Sequence, residues 1–152
     1  MCSALARITI SLIIIVGLAS CAETKPVYHA DGGPARLSQW NQLALQGSVL
    51  TPNGSTEVYL PANQLFTDYA HKLRTVWIPA GESAKLINEE IVYPVGTVLT
   101  KTFYYPKNQN GTLIKVADKT LLEVDTQNNQ LIETRVLVKR DAGWDALPYV
   151  WN

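Results

Sequence analysis

Cysteine is almost missing from this chain of 152 residues: Cys2 and Cys21 are the only two, and both precede position 22. The body that follows has no thiol to act as a nucleophile, close a disulfide or ligate a metal. Histidine is as scarce, with His29 and His71 alone. A zinc site takes three or four His, Cys or carboxylate ligands at fixed spacing, and no such set can be assembled, so no metal or other cofactor is expected. Charge is sparse and balanced, 13 basic against 13 acidic residues. Without a Lys/Arg cluster to track a phosphate backbone, nucleic-acid binding is not expected. A glycine-rich phosphate loop and a Gly-x-Ser-x-Gly elbow are also absent.

What is present begins at the amino end. Arg7 precedes an apolar run, Ile8 to Val16, interrupted only by Thr9 and Ser11, and small residues follow from Gly17. This is the layout of a secretory signal peptide. About 13 residues separate Ile8 from Cys21, short of the roughly 20 that span a bilayer, so a removable leader is expected over 1–20. Leu18-Ala19-Ser20-Cys21 resembles the lipobox of bacterial lipoproteins. The resemblance implies that Cys21 is acylated on sulfur, becomes the new N-terminus and is acylated again on its amine. Each buried methylene contributes about 0.8 kcal/mol, so two or three chains hold a domain on a membrane almost permanently. Ala22, where an Asp would retain the protein at the inner membrane, implies the outer membrane of a bacterial envelope.

Removing the leader leaves 132 residues with 12 basic and 13 acidic side chains. A domain of this size buries roughly two-thirds of its unfolded surface and needs no staples. Lys25-Pro26 and Asp31-Gly32-Gly33-Pro34 mark 21–34 as a flexible tether, leaving a β-rich domain over 35–152. Leu37, Trp40, Leu43 and Ala44 recur at helical spacing, which predicts one short helix over Gln39 to Gln46, capped by Ser38 and ended by Gly47. After the turn Thr51-Pro52-Asn53-Gly54 the pattern becomes strand-like over Glu57–Leu60, Arg74–Pro79, Ile91–Tyr93 and Thr97–Tyr105. Asn110-Gly111 predicts a hairpin returning along Leu113–Val116. Leu121–Asp125 and Leu131–Arg140 predict a second one around Gln127-Asn128-Asn129. In the last strand Ile132, Thr134, Val136 and Val138 share one face, Leu131, Glu133, Arg135, Leu137 and Lys139 the other. Short strands with Gly, Pro and Asn turns argue for an all-β antiparallel sandwich or barrel.

The densest polar string is Asp68-Tyr69-Ala70-His71-Lys72-Leu73-Arg74. Asp68 and His71, three apart, could pair on a helical turn as a base and its orienting carboxylate. The alternative is that Leu65, Phe66, Tyr69 and Leu73 anchor an irregular segment while Asp68, His71 and Lys72 face water. Glu133 and Arg135 are two apart on a strand and share a face, where they can pair with each other or with a neighbour. Asp68, His71, Glu133 and Arg135 are therefore the candidate polar site. Trp40, Trp77, Trp144 and Trp151 offer either a sugar-stacking platform or core filling in a domain with few phenylalanines.

Several blocks occur in a recognisable order: Gln64 to Arg74, Tyr93 to Phe103, Ile132 to Leu137, and Gly143-Trp144 through Tyr149-Val150-Trp151-Asn152. Together they resemble a family of uncharacterised exported bacterial proteins of the Shewanella and Hyphomonas type, over about Arg36 to Asn152. The resemblance implies no activity. It implies that fuller relatives continue past the Trp-Asn into a Cys-x-x-Cys-His haem-attachment segment, making this chain a shortened member or an incomplete gene product, to which a haem role is not carried over. The expected function is a non-catalytic, lipid-tethered binding or accessory domain meeting an envelope protein or glycan. The alternatives are an accessory domain of a redox or polysaccharide-processing system, with Asp68, His71, Glu133 and Arg135 in one pocket, or a carbohydrate-binding module.

Overall fold

The stretch richest in alternating β-branched and aromatic residues, Val98–Pro106, forms the central strand of the largest sheet, with a neighbour on each side. The computed structural model describes residues 25–117, 119 and 121–152, so the leader over 1–20, Cys21 and the start of the tether lie outside the described residues. In chain order the strands are β1 (Leu43–Gln46), β2 (Val49–Pro52), β3 (Glu57–Val58), β4 (His71–Trp77), β5 (Lys85–Ile87), β6 (Glu90–Val92), β7 (Val98–Pro106), β8 (Val124–Asp125), β9 (Asn129–Arg140) and β10 (Gly143–Val150). They build an antiparallel five-stranded sheet ordered β10-β9-β7-β4-β3, a three-stranded sheet ordered β1-β2-β8, and the separate hairpin β5-β6.

Leu50 and Val124 of the small sheet meet Leu73, Tyr104 and Leu131 of the large one, with Leu43 and Trp151 packed against them. The two sheets therefore face each other across one core, the antiparallel sandwich that the turn spacing predicts. The remainder of this inner face lies under Trp40, which packs with Val98, Val136 and Val138. Burying such side chains is worth about 1.5–3 kcal/mol each relative to exposure.

The predicted helix over Gln39–Gln46 is corrected to a single 3-10 turn, Leu37–Trp40, followed by β1. Asn41 takes a left-handed φ of 51° and stops the turn after Trp40. Gly47, expected to end a helix, instead opens the two-residue loop between β1 and β2, with the positive φ of 61° that a type II′ hairpin asks of its first residue. Ser38 does not cap the turn; the Arg36 amide donates to Gln39 Oε1 at 3.0 Å.

Residues 26–34, expected as part of a tether, lie on the body of the domain. The Val27 amide donates to the Trp40 carbonyl at 2.8 Å and Tyr149 Oη to the Pro34 carbonyl at 2.8 Å. Arg140 donates to the carbonyls of His29, Ala30 and Gly32 and to Asp145. A cation with several donors can collect carbonyls from a segment that has no apolar pattern of its own.

Two predicted hairpins are also corrected. The Asn110-Gly111 turn closes as expected, Asn108 donating to the Thr112 carbonyl at 2.9 Å, but Leu113 makes only an isolated bridge to Lys107. β4 and β9 take both edges of β7 as far as Tyr104, so Leu113–Val116 reaches only its end, where the Ile114 amide donates to the Pro106 carbonyl at 2.9 Å. β8, in turn, pairs with β2 and not with β9. A bulge in β9 at Ile132, opposite the Phe103–Tyr104 step of β7, turns Leu131 inward and leaves Ile132 exposed, reversing the expected faces at that end of β9.

Candidate functional site

Asp68 and Tyr69 both adopt left-handed backbone, φ 47° and 63°, so the segment before β4 turns sharply instead of winding into a helix. Asp68 holds Lys115 Nζ at 2.8 Å. That carboxylate pushes the Lys115 ammonium above the ordinary lysine range, by hydrogen bond first and charge second. His71, at the start of β4, is buried on the inner face, with Nε2 3.1 Å from the Val116 carbonyl and its ring edge-on to Tyr104. The register thus places His71 on the opposite face of the sheet from Glu133 and Arg135.

Glu133 and Arg135 do come together. They share the outer face of β9, with Arg135 Nη2 2.5 Å from Glu133 Oε1. Register then places other charges beside them. Arg74 of β4 lies directly opposite Lys101 of β7, and Lys101 directly opposite Arg135 of β9. Because cross-strand partners point to the same face, three cations stand in one row across three strands. The next row along reads Lys72, Phe103, Glu133.

The surroundings of this row are partly dry. Arg74 is 5 % exposed, and its Nη1 is buried with no hydrogen-bond partner among the described residues. Lys101 Nζ and the Arg135 guanidinium sit 4.9 and 5.0 Å from the centre of the same Phe103 ring. Burial lowers the pKa of Lys101 below the ordinary lysine value, and the charges of Arg74, Lys72 and Arg135 lower it further, all in the same direction. Lys72 is engaged, donating to the Leu65 carbonyl at 3.0 Å. Tyr59 lies close enough to Arg74 to feel its charge, although burial dominates and holds its phenol above the usual range. Such an arrangement can hold an anion. It offers no base beside a nucleophile and no pair of carboxylates for acid–base work.

Arg74 and Lys72 were within reach of sequence reading as members of the polar string, and Lys101 as an outward position of a predicted strand. Their meeting required the strand order, which no local pattern carries. The tryptophans are mostly core: Trp40 is fully buried with Nε1 donating to Tyr149 Oη at 2.8 Å, Trp77 packs beside it, and Trp151 donates to Thr134 Oγ1 at 2.9 Å. Only Trp144 of the four is exposed, and it meets Tyr93 edge to face, so no two indoles form an open sugar platform. Among the described residues no three His, Cys, Asp or Glu side chains gather where a metal ion could be held. Compared with family models, curated proteins and solved structures, the chain matches none.

Proposed function

We propose that this chain is a non-catalytic binding domain of the bacterial envelope, tethered to the outer membrane through acylated Cys21, with the outer face of the five-stranded sheet as its binding surface. The tether rests on Arg7, the apolar run from Ile8 and Leu18-Ala19-Ser20-Cys21. The binding reading is carried by one observation: a buried guanidinium, Arg74, whose Nη1 has no partner among the described residues, beside two further cations. Stability alone favours neither the unused donor nor the like charges, whereas a binding surface needs both. The nearest acid–base candidates, Asp68 and His71, are engaged in bonds that hold the fold.

Two measurements test this. Metabolic labelling with a fatty-acid probe marks the wild type and not Cys21→Ser; equal labelling of both refutes the tether. A photoreactive residue in place of Val76, on the outer face beside the cation row, crosslinks to an envelope component in intact cells, while the same residue in place of Glu82 does not. Equal or absent crosslinking at both positions refutes the binding surface.

A further inference from the structure

Like charges placed directly opposite on neighbouring strands destabilise a sheet, and here the juxtaposition occurs twice in succession, Arg74 to Lys101 and Lys101 to Arg135. Among the described residues the carboxylate that pairs with this row is Glu133, bound to Arg135, which leaves the three cations and their partner with a net charge of +2. Arg74 adds a buried donor whose desolvation is not offset by any partner among the described residues. A carboxylate ligand would bring one charge and two oxygens, duplicating what Glu133 already supplies. A phosphate monoester brings about 1.5 to 2 negative charges at neutral pH and three strong acceptor oxygens. Guanidinium groups match those oxygens in pairs, and an ammonium serves as the point charge between them.

We propose that Arg74, Lys101 and Arg135 form a binding site for a dianionic phosphate monoester on the outer face of the sheet. The proposal deepens the binding reading given above and rests on it. Arg74 and Lys101 supply the contacts that are unused in the free protein, and Arg135 turns part of its fork from Glu133 toward the ligand. The site is open on the side of Arg135, whose side chain is 58 % exposed, and closed on the side of Arg74. A ligand therefore enters over β9 with its phosphate leading.

Thermal unfolding of the full chain, at matched ionic strength in sodium chloride or with glycerol phosphate added, tests the site. Ligand bound to the folded state alone raises Tm, here by about 3–6 °C at saturating glycerol phosphate. Lys101→Gln removes the central charge, so it raises Tm in chloride and abolishes the glycerol phosphate shift. Arg135→Gln reports the same loss should Lys101→Gln fail to fold, and Lys85→Gln, on the separate β5-β6 hairpin, keeps the full shift. The proposal is overturned if glycerol phosphate gives no shift beyond chloride, or if the shift survives Lys101→Gln undiminished. Soluble dihexanoyl phosphatidic acid distinguishes the two sources of such a group: a larger shift than with glycerol phosphate assigns the site to a lipid headgroup, an equal one to a free phosphate ester. A failed shift with fatty-acid labelling intact sinks the phosphate site and leaves the tether standing; the opposite result does the reverse.

Discussion

The two faces of the five-stranded sheet are made by adjacent residues of the same strands, yet they treat polar groups in opposite ways. On the inner face Thr75 and Thr100 share a hydroxyl contact of 2.5 Å, and Thr102 and Thr134 one of 2.8 Å. Trp151 Nε1 donates to the second pair at 2.9 Å. All four threonines are buried, and every one of them has a partner. At the adjacent position of each strand, Arg74 beside Thr75, Lys101 beside Thr100 and Arg135 beside Thr134, the side chains point to the other face, where the charges repel and a donor has no partner among the described residues. A polar group used inside the sandwich holds the fold, and one left unused outside is available to something that is not part of the chain. On the proposed binding reading, stability rests with one face and recognition with the other.

That division is broken most directly from the inner side. Trp40→Ala empties the centre of the cluster formed with Val98, Val136 and Val138 and removes the donor to the Tyr149 hydroxyl, which keeps its bond to the Pro34 carbonyl. A large-to-small change of this kind costs about 3–5 kcal/mol. Urea unfolding should show a lowered midpoint with an unchanged slope. A loss below about 1 kcal/mol would mean that the inner face does not carry the fold. Thr134→Val is the next largest. It leaves both the Thr102 hydroxyl and Trp151 Nε1 without their buried partner, at about 1–3 kcal/mol. The double variant Thr102→Val/Thr134→Val should recover part of that loss, because replacing both partners removes the orphaned hydroxyl. No recovery would show that the threonine pair is not a unit.

How much of this contrast can be read from sequence differs along the chain. Residues 98–106 and 131–140 alternate clearly, and their faces follow from a period of two. Leu131 and Ile132 defeat the pattern because Ile132 is a bulge residue, left unpaired opposite the Phe103–Tyr104 step of β7, and it shifts the pairing by one residue. The segment from Leu37 to Gln46 carries helical spacing at four positions, yet a left-handed Asn41 and pairing with β2 override it. The hairpin β5-β6 is hidden for a chemical reason: its turn residues, Asn88 and Glu89, both have positive φ, but Glu occupies the place where Gly usually announces such a turn. The pairing of Glu133 with Arg135 follows from their spacing alone, as two residues on one face of a strand. The cation row does not, because Arg74, Lys101 and Arg135 are scattered over 62 positions and meet only through the order β4, β7, β9.

The amino-terminal arm sharpens the comparison from a third side, since residues 26–34 are held both by polar contacts and by Tyr28 and His29 packed on the Trp40 cluster. Arg140 collects the carbonyls of His29, Ala30 and Gly32, and Arg140→Ala removes them together. Global stability should fall by only about 1 kcal/mol, while proteolytic cleavage between Lys25 and Arg36 accelerates several-fold, because the affected contacts gate local and not global opening. Unchanged cleavage would place the arm under the control of Val27 and Tyr149 instead.

The smallest effect is electrostatic, and its sign separates the two faces most cleanly. Lys101 gives up its proton in the folded chain at a lower pH than the ordinary lysine value of 10.5, because of burial and then the charges of Arg74, Lys72 and Arg135. Well below the folded value both states are protonated and the repulsion acts in full. Between the folded value and 10.5 the unfolded chain binds more protons, so this group makes stability rise with pH across that window. Tyr59 acts in the opposite direction: burial holds its proton on past the ordinary value of 10.0, so its contribution is lost above that pH. Comparing the wild type with Lys101→Gln cancels the tyrosine. The variant should be the more stable at neutral pH in chloride, and its advantage should shrink as pH climbs toward 10.5, by a modest amount because Lys101 is only partly buried and water screens it. Titrating away the central charge and covering it with a phosphate are two routes to the same relief. If denaturant curves show the gap constant across that window, the outer face is not under strain, and the contrast between the faces loses its electrostatic half.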